Sequence, residues 1–160
     1  MLIIRHAKSD QSFFGNDFER PLNERGKKTA PEMAKRIADK NIAIDAFVAS
    51  PAKRTKKTAE IFCETYKQNV NDIIFISALY HAPAPEFYDV ITSLDDSLNS
   101  VAIFAHNPGI SYFVNDLVKD VRIDNMPTCA VYALQVDIDH WKDFTNGKKE
   151  FLFFDYPKSD

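Results

Sequence analysis

Long apolar runs, cysteine pairs, blocks of like charge and repeated or low-complexity segments are all missing from this sequence. Each absence removes a class of function. A membrane-crossing helix needs about 20 consecutive apolar residues, and the strand-like runs here, such as Val101 to Ala105, are far shorter. The only two cysteines are Cys63, inside a helical pattern, and Cys129, at a predicted strand start. They lack metal-ligand spacing and offer no second pair for a disulfide framework, so both are expected to be small buried hydrophobes. Net charge is −3, the pI is near 5.8, and the lysines are scattered along predicted helices, which argues against nonspecific nucleic-acid binding. Any anion site must be local. No carboxylate cluster of the kind that holds magnesium stands near the strand ends, so no metal and no organic cofactor is expected. Met1 to Ile4 is too short for the apolar region of a secretory signal, and the expected location is cytoplasmic, with no membrane association.

What is present fits one globular domain over residues 1–160, with 45% apolar and 27% charged residues. A chain of this length buries roughly 70% of the surface its unfolded form exposes, enough for an ordinary core. Strand-like runs at Leu2 to Ile4, Ala46 to Ala49, Ile73 to Ile76 and Val101 to Ala105 alternate with helical patterns. Helices are predicted over Asn23 to Lys40, Ala52 to Tyr66, Pro85 to Leu94 and Gly109 to Val118. This order predicts an α/β fold with a mostly parallel sheet. Two further strand-like runs, Cys129 to Val136 and Glu150 to Phe154, flank a charged stretch with Asn146-Gly147 and predict a hairpin-like or edge addition. Residues 7–22 form the one long irregular segment near the strand ends, placed to act as a lid or a substrate-reading loop.

Chemistry concentrates where strands stop. The first run ends at Arg5-His6, the second leads into Ser50-Pro51-Ala52-Lys53-Arg54, and the fourth ends at His106-Asn107-Pro108-Gly109. In open α/β sheets ligands bind outside the carboxyl ends of the strands, so these residues are predicted to converge. A neutral imidazole can attack phosphorus and form a phosphohistidine intermediate that water resolves, which makes His6 the candidate nucleophile. Phosphoryl transfer demands fixed positive charge around the equatorial oxygens. Arg5 and Arg54 are the candidates, since a guanidinium grips two phosphate oxygens at once and stays charged. His106 is a further donor to the same oxygens. Asn107 and the helix start at Pro108-Gly109 are placed to hold His106 or the anion. Taken singly, each has a plainer reading: Arg54 as a solvated cation and His106 as a partly buried core histidine.

Several stretches carry a resemblance to a known family: Ile4-Arg5-His6-Ala7-Lys8-Ser9, Arg20-Pro21-Leu22-Asn23-Glu24-Arg25-Gly26, Ser50-Pro51-Ala52-Lys53-Arg54-Thr55 with Thr58-Ala59, and His106-Asn107-Pro108-Gly109. In order and spacing they resemble the histidine phosphatase superfamily. The short chain, Arg20-Pro21-Leu22, Leu79-Tyr80 followed by Ala82, and Met126-Pro127-Thr128 resemble its compact SixA-type phosphohistidine phosphatase branch. The resemblance implies a phosphoglycerate mutase-like three-layer α/β/α sandwich. It also implies a metal-independent phosphatase with a phosphohistidine intermediate on His6, and a phosphate pocket of Arg5, Arg54 and His106. The implied partner is a phosphorylated protein, a histidine-containing phosphotransfer domain of a signal-transduction chain.

One departure bears on the substrate. Many relatives place a glutamate general acid soon after the third strand, whereas Ile76-Ser77-Ala78-Leu79-Tyr80-His81 offers none. An alkoxide leaving group needs a well-placed acid, while the imidazole of a phosphohistidine departs with less help, so the missing acid favours a P–N substrate. Tyr80, His81 and Glu86 are the candidate proton donors. His81 reads equally well as a loop histidine, and Glu86 as a dipole partner in a first helical turn. Arg20 and Ser9 are candidate substrate-binding residues, Arg20 with loop anchoring through a carboxylate as its equal alternative. Asp10, Asp17 and Glu19 are placed to repel free polyanions or to read a basic protein surface, with a solvated loop charge as the default for each. Phe13, Phe14 and Phe18 either form an apolar platform for a protein substrate or pack the loop down. Two rival functions stay open: a phosphatase of small phosphomonoesters on the same fold, and a noncatalytic phospho-recognition module.

Overall fold

Leu2, Ile3 and Ile4 are fully buried and form the middle of the sheet as β1 (Leu2–Arg5). The computed structural model describes residues 1–158; the last two positions of the expected 1–160 domain lie outside the described residues. The other strands are β2 (Ala46–Ala49), β3 (Ile74–Phe75), β4 (Val101–Ala105), β5 (Val131–Asp137) and β6 (Lys148–Asp155), in sheet order β3-β2-β4-β1-β5-β6. Strands β3, β2, β4 and β1 run parallel, and β5 and β6 add antiparallel beside β1.

Four α-helices cover the two faces: α1 (Glu24–Ala38), α2 (Lys53–Thr65), α3 (Ala84–Thr92) and α4 (Gly109–Leu117). Helix α1 begins because the Asn23 side chain accepts the Gly26 N–H at 2.8 Å, satisfying one of the orphan donors of the first turn. It continues through Pro31, which stands on its exposed face. The two-residue period of the strands divides the core. Leu2, Ile4, Phe47, Phe104 and Val131 point toward α1 and α2, while Ile3, Val48, Ile103 and Tyr132 point toward α3 and α4. Burying Met33, Ile37, Phe62 or Phe113, all at 0% exposure, contributes on the order of 2 kcal/mol each. Three layers result, as the sequence resemblance implies.

This layering creates the crevice. Helix α4, which follows β4, covers one face of the sheet, whereas α1 and α2, which follow the neighbouring β1 and β2, cover the other. The chain therefore diverges on both sides of the β4 end, and a ligand site is expected at such a switch point.

Two expectations need correction. The third strand is only two residues long instead of four, because a 3-10 turn at Val70–Asp72, capped by the Asn69 side chain, uses the preceding residues, and β3 is an exposed edge. Cys129 sits in a turn before β5 with φ +63°, not at a strand start, although both cysteines are free and buried as expected. The charged stretch between the last two strands holds a 3-10 helix, Trp141–Asn146, whose Trp141 and Phe144 are buried in the core beside α3. The β5–β6 edge ribbon itself matches the expectation. Among the described residues no helix is long and apolar enough to cross a membrane.

Candidate active site

His6 follows the last residue of β1, and its backbone N–H still bonds Ala105 O of β4 at 3.2 Å. Its ring is 5% exposed, and Nδ1 lies 2.8 Å from Ala7 O. A carbonyl only accepts, so Nδ1 carries the proton and the lone pair is left on Nε2. Burial, then the nearby Arg5, Arg54 and Arg20 charges, push the imidazole down to about 3, despite the opposing bond to Ala7 O. At neutral pH the ring is an uncharged base.

His106 takes the corresponding place after β4, 4% exposed and 5.2 Å from the His6 ring, centroid to centroid. Its Nε2 is 2.8 Å from the Ser50 hydroxyl, which stands at the end of β2 and already accepts the Ala52 N–H at 3.3 Å. The Ser50 proton is thus free to be donated to Nε2, which leaves Nδ1 as the N–H of His106. Burial first, then the His6 neighbour, lower His106 to about 2. Arg54, in the first turn of α2, is 3% exposed, and Arg5 is half-buried with Nη1 donating to Met126 O at 2.7 Å. Burial and the Arg54 and Arg20 charges lower Arg5. Arg5 Nε, Arg54 Nε and His106 Nδ1 are all buried without a hydrogen-bond partner among the described residues. A tetrahedral oxyanion carries the acceptors that such a set of N–H groups needs.

The loop over residues 7–22 is anchored at its base: Ser9 bridges Leu22, Asp10 N–H bonds Pro21 O at 2.9 Å, and Asn23 N–H bonds Lys8 O at 3.0 Å. It is a fixed arm more than a loose lid. Ser9 is 1% exposed, and its hydroxyl accepts from Arg20 Nη1 and from Gln11 Nε2. Arg20 also donates to Asp17 Oδ1, at 3.0 Å from Nη2 and 3.3 Å from Nε. Its loop-anchoring alternative is therefore realised. Asn107 does not face outward: Nδ2 donates to Asn125 Oδ1 at 2.6 Å and to Met126 O at 3.1 Å, and Oδ1 accepts from Ser111 at 2.5 Å. It ties the His106 turn to the Met126 carbonyl that holds Arg5.

Tyr80 and His81 lie at the rim, with ring centroids 5.6 and 6.3 Å from His106. His81 has φ +58°, and this left-handed corner sets its ring against that of Tyr80, tilted by 38° at a centroid distance of 4.0 Å. Glu86 sits in the first turn of α3, where its charge complements the helix dipole, and it has no hydrogen bond or ion pair to the other site residues among those described. Phe18 packs edge-on against Tyr80 at 5.2 Å, while Phe14 is fully exposed.

Three contributors escaped the sequence reading. Asp17, read as a solvated charge, bonds Arg54, Arg20 and Tyr80 together. Ser50 sets the His106 tautomer. Thr58 accepts the Ala7 N–H at 3.0 Å and donates to Arg54 O at 2.7 Å, so it pins the His6 turn to α2. The available signals were positional: Ser50 ends a strand as His6 does, and Asp17 stands three residues before Arg20. Among the described residues, no group of three or more His, Cys, Asp and Glu side chains is disposed to hold a metal.

Residues 1–73 match the family model described as histidine phosphatase superfamily (branch 1). No curated protein sequence matches the chain. Among solved structures, a SixA protein from Agrobacterium tumefaciens is 23% identical, with a TM-score of 0.81 over 98% of this chain and 97% of that one. The protein histidine phosphatase SixA complexed with tungstate is 19% identical, with a TM-score of 0.81 over 96% and 94%. A mycobacterial glucosyl-3-phosphoglycerate phosphatase is 14% identical, with a TM-score of 0.64 over 94% and 95%. The matched residues span the first two site-bearing strand ends, and the SixA structures share the fold over nearly the whole chain; over its first 73 residues the chain is similar to the histidine phosphatase superfamily.

Proposed function

We propose that the protein is a metal-independent phosphohistidine phosphatase that removes phosphate from a histidine of a phosphotransfer protein by way of a phosphohistidine on His6. The observation that carries this reading is the set of buried, unpartnered N–H groups of Arg5, Arg54 and His106 beside an uncharged imidazole. His6 Nε2 gives its lone pair to phosphorus, and the P–N bond of the substrate breaks with its electron pair returning to the departing imidazole. The His6 ring is then an imidazolium whose Nδ1–H is held by Ala7 O. That charge makes Nε2 a good leaving atom when water attacks phosphorus, so the neutral imidazole is restored and phosphate released. Arg5, Arg54 and His106 hold the equatorial oxygens through both steps. The tungstate complex of the SixA relative supports an oxyanion-binding role for this fold.

A phosphomonoester substrate is the second reading, favoured by one observation: the Tyr80 and His81 rings both stand near His106. Phosphate release from a phosphohistidine-bearing phosphotransfer domain and from a panel of phosphomonoesters, measured in EDTA for the native protein and His6→Ala, separates the two. Preference for phosphohistidine that disappears in the variant is the expected result. Preference for a monoester assigns a metabolite phosphatase, and silence on every substrate assigns a phospho-recognition module.

A further inference from the structure

Among the described residues, Asp17 is the one carboxylate built into this otherwise cationic site. Its Oδ2 accepts from Tyr80 Oη at 2.7 Å and from Arg54 Nη2 at 3.1 Å, its Oδ1 accepts from Arg20, and its backbone carbonyl accepts from Arg54 Nη1 at 2.8 Å. His81 Nε2 lies 3.7 Å from Oδ2. The Asn16 side chain caps the short 3-10 turn that presents Asp17, accepting the Phe18 N–H at 3.0 Å. Exposure sorts the site into a floor and a rim. His6, Arg54 and His106 are 3 to 5% exposed, whereas the side chains of Asp17 and His81 are 44 and 62% exposed. In an in-line displacement the leaving group departs opposite the nucleophile. Attack from a buried floor therefore expels it toward the rim, where Asp17 stands.

We propose that Asp17 is the residue that sets the choice of leaving group, favouring a P–N over a P–O bond; the inference rests on the phosphohistidine reading above. A phosphorylated imidazole protonated on its far nitrogen brings a positive charge to the rim. When its P–N bond breaks, the electron pair goes back to nitrogen and the ring leaves neutral, with no proton to be delivered. A phosphate monoester leaves as an alkoxide unless an acid supplies a proton. At this rim it meets a negative charge, and the Tyr80 hydroxyl has its proton committed to that same carboxylate. Hydrogen bonding from Tyr80 and the two arginines holds Asp17 far below the usual carboxylate range, so it does not serve as the acid itself. Burial and the Asp17 charge in turn raise Tyr80.

The test is the ratio of kcat/KM for a phosphohistidine peptide to kcat/KM for a phosphoserine peptide, in the native protein, Asp17→Asn, Asp17→Ala, Asp17→Glu and the double variant Asp17→Asn with Tyr80→Phe. We expect both uncharged variants to lower the ratio by about tenfold or more, the scale of a positioned acid or base. Part of the change should be a gain on phosphoserine that the Tyr80→Phe exchange removes, and Asp17→Glu should keep the ratio nearer the native value. Equal loss on both substrates would make Asp17 a mere brace for Arg54 and overturn the proposal, as would an unchanged ratio. A native protein that prefers phosphoserine would instead overturn the phosphohistidine reading. Asp17 lies on the exposed arm, so the uncharged variants are expected to fold, and thermal melts check this.

Discussion

Burial without a counter-charge explains why the two site histidines are poor proton acceptors, and it makes their removal visible in stability. An unfolded histidine takes up a proton near pH 6.5, whereas folded His6 resists protonation down to about 3 and His106 down to about 2. Between those limits the unfolded chain binds more protons, so stability rises with pH and falls as the pH drops below 6.5. Replacing His6 by Gln removes one of these groups, and the denaturant midpoint should then change less between pH 7 and pH 5 than in the native protein. An identical pH slope in urea titrations of the two proteins would show that His6 protonates as easily folded as unfolded. Thr58 makes a second argument at this scale. It is 0% exposed and joins Ala7 N–H to Arg54 O through one hydroxyl. Thr58→Val keeps the shape but leaves the buried Ala7 N–H unpaired, which costs about 1 to 3 kcal/mol. Activity should fall with it, since the His6 turn loses its tie to the helix that carries Arg54. A variant with native stability in urea would put another partner on Ala7.

At the scale of elements, α4 depends on having no side chain at its first residue. A Cβ on Gly109 would stand 1.8 Å from the Ala82 carbonyl oxygen, so backbone has to move. Because Ala82 directly follows the Tyr80-His81 corner, Gly109→Ala should destabilise by more than about 2 kcal/mol, as overpacking against fixed backbone does, and should also displace that corner from His106. Native kcat/KM with a native melting curve would mean that the two segments separate without consequence. The same elements show what the sequence made legible. Strands β2 and β4 were readable to the residue because Ala46–Ala49 and Val101–Ala105 are apolar runs bounded by polar ones. Helix α1 was readable because its buried positions Ala30, Met33, Ala34 and Ile37 repeat at helical spacing. The 3-10 segments at Val70–Asp72 and Trp141–Asn146 were not, since one turn has no periodicity to detect. At the site, His6, Arg5, Arg54 and His106 were identifiable from their places at or just beyond strand ends. Asp17 was not, because an acidic residue in a polar loop reads as solvated until the fold shows which cations face it.

Taken as a whole molecule, the protein carries net negative charge yet gathers Arg5, Arg20 and Arg54 at one end of its sheet, with Asp17 bonded to two of them. Such a centre works against the stability of the free protein, because a buried charge without full compensation loses more solvation than it regains. An anion that binds only the folded form offsets this by RT ln(1 + [L]/Kd), about 2.7 kcal/mol at a hundred times Kd. Inorganic phosphate should therefore raise the melting temperature, in EDTA as in buffer. Arg54→Met tests the opposition directly, since Met occupies similar length without charge. The variant should lose the response to phosphate while its stability without phosphate stays within about 1 kcal/mol of native or exceeds it, as replacement of buried ions by apolar groups allows. Thermal melts across a phosphate titration read both quantities from the same samples. A persistent phosphate response in Arg54→Met would move the anion site away from the β4 crevice, and with it the floor on which the chemistry of His6 depends.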